Sequence, residues 1–262
     1  KNNVFHYGQL IAGADTVTFK VFNENGYAQD STGGYYRGYR IEGADPETFE
    51  VVDEGTRAQD KNYVYSAAQI MGPRQKVVLL PGEWSIVNNV VRFGPREQPG
   101  IDAATFQYVG GDYLTDKNAA YTIYEGSIEV DVPSFVYLKG PFAKDKNSVY
   151  SSTIGDRIWP IAAQASTFVA LSDFWGKDDK NAYTVRGEVV GVDAGSFKGL
   201  VGQYAKDKNK VFYTNAEKGS EYIENPKDLS LPGADASSFE ALNNFFGKDK
   251  NHGYYRREAI LS

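Results

Sequence analysis

Six copies of the triplet Asp-Lys-Asn, beginning at Asp60, Asp116, Asp145, Asp179, Asp207 and Asp249, hold the residue types best suited to chemistry in this sequence. An Asp-x-Asn pair opens an EF-hand-type calcium loop, in which alternate side chains turn their oxygens onto one cation. The rest of that loop is missing. The next alternate position is usually apolar (Val64, Val149, Val211), no glycine regularly holds the sixth position, and no acid regularly follows at the twelfth. The triplet therefore reads first as a turn. Its Asp would accept backbone N–H groups, its Lys would stand exposed at the apex, and its Asn would take a left-handed φ where the chain enters a strand. A calcium site shared with an aspartate of another unit is the second reading.

Other chemistries are poorly supplied. The two histidines, His6 and His252, lie in a hairpin and directly after a triplet, too few for a multi-histidine metal centre. There is no P-loop, dinucleotide fingerprint, Gly-x-Ser-x-Gly or His-Glu-x-x-His. A hydrolase-type site built from two of the 34 acids ranks third, because acids that recur in every unit answer a structural need more simply. The expectation is that the protein is not an enzyme and holds no cofactor. A net charge of −6 argues against a nucleic-acid partner, and zero cysteines exclude disulfides and thiolate metal sites. No apolar run approaches the roughly 20 residues that span a bilayer.

The elements that position the triplets follow from a second signature, Asp-x-x-[Ser/Thr]-Phe. It appears at Asp15, Asp45, Asp102, Asp131, Asp193 and Asp235, and again at Gln164 without its aspartate. From each of its phenylalanines the next triplet follows after 10 or 11 residues, as from Phe49 to Asp60 and from Phe239 to Asp249. Self-similarity of this kind marks a repeat protein. After the triplet, stretches such as Thr122–Val130 and Tyr183–Val190 surround a glycine and read as a β-hairpin. Asp-x-x-[Ser/Thr]-Phe reads as one helical turn capped by its Asp, with the Phe in the core. The fold predicted is mainly β, built of tandem repeats of about 29 residues, each a β-hairpin plus a short helical turn, stacked in one continuous array. About nine units start near 1, 30, 60, 87, 116, 145, 179, 207 and 249 across residues 1–262, the last incomplete. A closed propeller-like ring of paired units is the alternative.

The segments Asp60-Lys61-Asn62-Tyr63-Val64-Tyr65 and Gly43-Ala44-Asp45-Pro46-Glu47-Thr48-Phe49, and the junction Tyr204-Ala205-Lys206-Asp207-Lys208-Asn209, resemble the DKNYY family of bacterial repeat proteins. The resemblance runs over nearly the whole chain and departs at Asp30-Ser31-Thr32-Gly33-Gly34 and across 66–100. It implies a bacterial source and a periplasmic, cell-surface or extracellular place, and it implies no defined reaction. The start at Lys1-Asn2-Asn3, a triplet lacking its aspartate, suggests a piece of something longer.

The function expected is a non-enzymatic scaffold or binding module, with a protein or surface polymer as partner. Length varies only between the triplet and the next phenylalanine, and insertions in repeat proteins tend to mark the binding face. The loops around Ser151–Ile161 and Thr214–Pro232 are therefore expected to share an edge, with Trp159 and Tyr222 as anchors. Trp84, in the irregular stretch, is a third such off-pattern aromatic, although most such tryptophans close a local core.

Overall fold

The computed structural model describes residues 3–22, 25–52, 55–152, 158–215 and 228–260. These form nine antiparallel sheets in tandem, seven of them four-stranded, with strands of two to five residues and none closed into a barrel. Helical structure among the described residues is confined to single turns, so no helix is long and apolar enough to cross a membrane. The mainly β repeat fold expected from the sequence is the one observed.

Each sheet is a meander in sequence order. In the module around Asp145 the strands are Val136–Lys139, Phe142–Lys144, Val149–Ser152 and Ile158–Ile161. Val136 faces Lys144, Phe142 faces Ser151, and Ser151 faces Trp159. The expected hairpin is the third and fourth strands. Two further strands lie on the other side of the aspartate, so four strands come from one repeat and the triplet sits at the centre of the sheet. Pieces such as Glu50–Val52 and Arg57–Gln59 are too short to display alternation alone. They become strands because each finds a partner across a tight turn.

The chain folds as two compact units, Lys1–Phe106 and Gln107–Ser262. The first holds a two-stranded sheet, Phe5–His6 with Gln9–Leu10, and three four-stranded modules centred on Asp30, Asp60 and Val87. The second holds modules centred on Asp116, Asp145, Asp178, Asp207 and Asp249. In the Val87 module, Asn88 and Asn89 take φ of 51° and 66° in a two-residue turn, replacing the aspartate corner. Its Trp84 is buried against Phe93 and Phe106 and belongs to the core.

Two positions explain how modules stack within a unit. Where the side chain three residues before the corner is a buried tyrosine or tryptophan, its polar tip bonds main chain just ahead of the equivalent position in the next module. Tyr27 donates to Thr56 O (3.4 Å), Trp175 Nε1 to Gln203 O (3.2 Å) and Tyr204 Oη to Phe245 O (2.8 Å). The lysine one residue before the corner reaches the next helical turn. Lys144 Nζ donates to Ala165 O (2.9 Å) and Phe168 O (3.1 Å), and Lys206 Nζ to Ala236 O (2.8 Å) and Phe239 O (3.0 Å). Carbonyls at the end of a helical turn lack partners within it, so the lysine satisfies them. Between these positions the residue is small at Ala58, Ala143, Gly176, Ala205 and Gly247, and at Gly176 and Gly247 the module's phenylalanine lies on it. A Cβ added to Gly176 would stand 2.3 Å from Phe168 Cζ.

Candidate functional site: the aspartate corners

The corner aspartates are buried carboxylates at the turn between second and third strands. Asp60 Oδ1 accepts the N–H groups of Asn62 (2.7 Å) and Tyr63 (2.8 Å). Its Oδ2 accepts the N–H of Asp45 (2.8 Å) and the hydroxyl of Tyr65 (2.6 Å). Asp145 repeats the set with Asn147 and Ser148 (both 2.7 Å), Asp131 (2.8 Å) and Tyr150 (2.9 Å). An ionised carboxylate offers about four lone-pair sites, and here each meets a donor of the chain. The corner thus ties the strand turn, the preceding helical turn and the core tyrosine to one group.

The second signature closes a smaller ring outside the first. Asp193 Oδ1 accepts the N–H and hydroxyl of Ser196 (2.9 and 2.7 Å), while Ser196 Oγ accepts the N–H of Lys208 (3.0 Å). Lys208 Nζ stands 2.7 Å from Asp193 Oδ2. Lys61 with Asp45, Lys146 with Asp131 and Lys250 with Asp235 form the same pair at 2.6–2.7 Å. These four triplet lysines stand exposed, as the sequence predicts, and each is also a partner of the other motif's aspartate. The triplet asparagine differs from expectation. None of these asparagines takes a positive φ; in the Asp60, Asp145, Asp207 and Asp249 corners its N–H is spent on the carboxylate.

One corner is displaced from its triplet. At Asp178-Asp179-Lys180-Asn181 the buried carboxylate is Asp178, bonded to the N–H groups of Lys180, Asn181 and Gln164 and to Tyr183 Oη. Asp179 then takes the lysine's place, opposite Gln164, which takes the place of the second aspartate. Both charges of the outer pair change together, so no like-charged pair faces itself. With this register the phenylalanine-to-corner spacing is 10 residues throughout the second unit (Phe168 to Asp178, Phe197 to Asp207). It is 11 in the Asp30 and Asp60 modules (Phe19 to Asp30, Phe49 to Asp60).

The charge state follows from this geometry. Burial alone would raise the Asp60 and Asp145 carboxyls, but the donated hydrogen bonds outweigh it and hold both below the usual carboxylate value. At Asp249 the same contest ends at about 2. Burial first, and then the bond to Asp145, push the Tyr150 phenol up to about 12; Tyr183 and Tyr254 follow for the same reasons.

The Asp207 corner lacks its tyrosine. Phe212 occupies that place, fully buried against Phe197. Phe212→Tyr is expected to raise unfolding free energy by about 1 kcal/mol, since the new hydroxyl points at a carboxylate already placed to receive it. Urea denaturation checks this; destabilisation would mean that the ring there sits differently from Tyr65 and Tyr150.

Trp159 lies on the fourth strand of the Asp145 module, opposite Ser151 and about half exposed (47%). Tyr222 lies outside the described residues, as do most of the two loops, 153–157 and 216–227. Their flanks show that both replace the turn between third and fourth strands. Ser152 faces Ile158 across the first, and Phe212 bridges Ser230 beyond the second. His6 is in the two-stranded sheet, and His252 Nδ1 stands 4.0 Å from Asp249 Oδ1. Among the described residues no group of three or more His, Asp or Glu side chains converges as a metal site. The bonds from each helical turn to its module's corner and the lysine pairings are not legible in the sequence because they join residues 14 to 16 apart whose roles are invisible singly.

A family model described as the DKNYY family matches residues 1–150 and 122–258. No curated protein and no solved structure matches the chain.

Proposed function

The chain belongs to the DKNYY family, and from this membership and the corner geometry we propose that it is a non-enzymatic repeat scaffold that binds a partner outside the bacterial cytoplasm. The observation that carries this reading is the occupation of the corner carboxylates. In the Asp30, Asp60, Asp145, Asp178 and Asp249 corners the lone pairs meet N–H and O–H donors of the chain itself, so the most repeated chemical group serves architecture. The same occupation disfavours the calcium reading, because a cation would have to displace main-chain donors that point at the carboxylate. It also disfavours a hydrolase built on these acids, since a general acid or nucleophile needs a free oxygen facing substrate.

The partner surface proposed is the side of the second unit bearing the expanded third-to-fourth-strand turns. Trp159 and Tyr222 are the anchors, and a protein or surface polymer is the partner. Half-exposed tryptophan on a rigid strand loses little entropy on binding. Deleting Asn215–Pro226 is expected to leave the melting temperature within about 2 °C, since surface changes away from the core are worth about 0.5 kcal/mol or less. It should abolish retention of the protein on the envelope fraction of a bacterial host. Global unfolding on deletion, or unchanged retention, would remove the loop from the binding surface.

A further inference from the structure

The chain holds one Asn-Gly pair, Asn25-Gly26, between the first two strands of the Asp30 module. An asparagine followed by glycine is the pair best able to react with itself, because no Cβ hinders the glycine nitrogen on its way to the asparagine Cγ. Five triplet asparagines, Asn62, Asn118, Asn147, Asn209 and Asn251, carry the same amide, and Asn147 precedes the small Ser148. What separates them from Asn25 is the state of the next N–H group.

In the corners that group is spent. The N–H groups of Tyr63, Ala119, Ser148, Lys210 and His252 donate to their corner carboxylates at 2.7–3.0 Å. A nitrogen held this way keeps its proton, since losing it would set a second negative charge against the carboxylate. Asn25 is exposed, and among the described residues the Gly26 N–H meets no acceptor. Gly26 is itself fixed by the fold. Its φ is 99°, and a Cβ there would stand 2.7 Å from Arg37 Cγ. The turn therefore demands the glycine that makes Asn25 reactive.

We propose that Asn25-Gly26 is a self-modification site at the junction of the Asp30 and Asp60 modules, with water as its co-reactant. The Gly26 nitrogen loses its proton to solvent base and attacks Asn25 Cγ. As the new C–N bond closes a cyclic imide, the Cγ–Nδ2 bond breaks and ammonia leaves. Water then opens either carbonyl of the imide, giving aspartate or isoaspartate; nothing is oxidised or reduced. Both products lose the donor that Asn25 Nδ2 gives to Gly55 O (3.3 Å) in the next module, and both add a negative charge. Isoaspartate also lengthens the main chain beside Tyr27, whose ring is buried with Phe49 and Tyr65. The junction loosens as the chain ages. This inference concerns the first unit and stands apart from the loops of the second.

The test incubates the full chain in mildly alkaline heavy-oxygen water, native and in urea, and follows conversion by peptide mass mapping. Conversion at Asn25 should run at a similar rate in both states. At Asn147 it should be at least about tenfold slower in the native chain than in urea, since it must await opening of the corner. The melting temperature of the native chain should fall by about 4 °C as Asn25 converts, the shift expected for one lost contact in a unit of this size. Asn25→Gln keeps an amide but closes the imide far more slowly, so it should abolish both the conversion at this position and the fall. Native-state protection of Asn25 as strong as that of Asn147 would overturn the proposal. An equal fall on ageing of Asn25→Gln would do the same.

Discussion

Asp145→Ala is expected to lower unfolding free energy by about 3–5 kcal/mol, among the larger effects of a single substitution. The side chain touches no ligand; the cost comes from what it leaves behind. The N–H groups of Asp131, Asn147 and Ser148 and the hydroxyl of Tyr150 all lose their acceptor inside a corner whose carboxylate is 3% exposed. Each buried donor left unpaired costs about 1–3 kcal/mol, and water entering the vacated space offsets part of the sum. Tyr150→Phe removes one donor and leaves the carboxylate three, so about 1.5 kcal/mol is expected. Lys146→Ala breaks only the exposed pair with Asp131 and should cost under about 1 kcal/mol. Urea denaturation of the three variants gives the order. A lysine effect as large as the aspartate effect would contradict the division into buried corner and outer ring. The fold itself survives loss of a corner in nature, since the Val87 module keeps four strands around an Asn-Asn turn.

How much of this was readable in the sequence depends on the range of the interaction. The repeat, its spacing and the capped turn at Asp45 and Asp193 are local, and they appear in the chain as type and distance. The hairpins after each triplet show because their glycines and alternating residues span eight or nine positions. The first strands do not show, because two residues such as Lys198-Gly199 carry no period. The triplet spelling points to Asp179 as the corner, whereas the buried carboxylate is Asp178. Which aspartate is buried depends on where Phe168 and Gln164 place the turn, a tertiary fact. The lysine before the Asp145, Asp178 and Asp207 corners looks like solvated charge, and only the neighbouring module's carbonyls reveal its role. Of the two residues proposed as anchors, Trp159 stands about half exposed on its strand, whereas Tyr222 lies outside the described residues.

Acid should unfold the protein in a single steep transition between about pH 4 and pH 2. The sign follows from linkage. The corner carboxyls of Asp30, Asp60, Asp145, Asp178 and Asp249 have native values below the roughly 3.9 of an unfolded aspartate, reaching about 2 at Asp249. A group lowered in the folded state contributes stability that is fully present above the unfolded value and is lost as pH falls through the folded one. Several corners share that window, so their losses accumulate and steepen the transition. The tyrosines work in the opposite direction. Their phenols are raised to about 12 at Tyr150, Tyr183 and Tyr254, against about 10 unfolded. Their contribution is complete below pH 10 and disappears as pH rises towards 12. Circular dichroism across pH 1–12 should show a plateau bounded by these two edges. A midpoint near pH 5 or above would mean that the corner carboxylates are not held in the ionised, hydrogen-bonded state described.

The measurement that bears most directly on the corners as architecture is thermal unfolding of the full chain in millimolar calcium and in chelator at equal ionic strength. A ligand bound only by the folded state must raise the melting temperature, by an amount that grows with its concentration over Kd. If the chain's own donors fill the corner oxygens, the two curves should superimpose. A calcium-dependent rise that disappears in Asp145→Ala would contradict the account and make the corners cation sites.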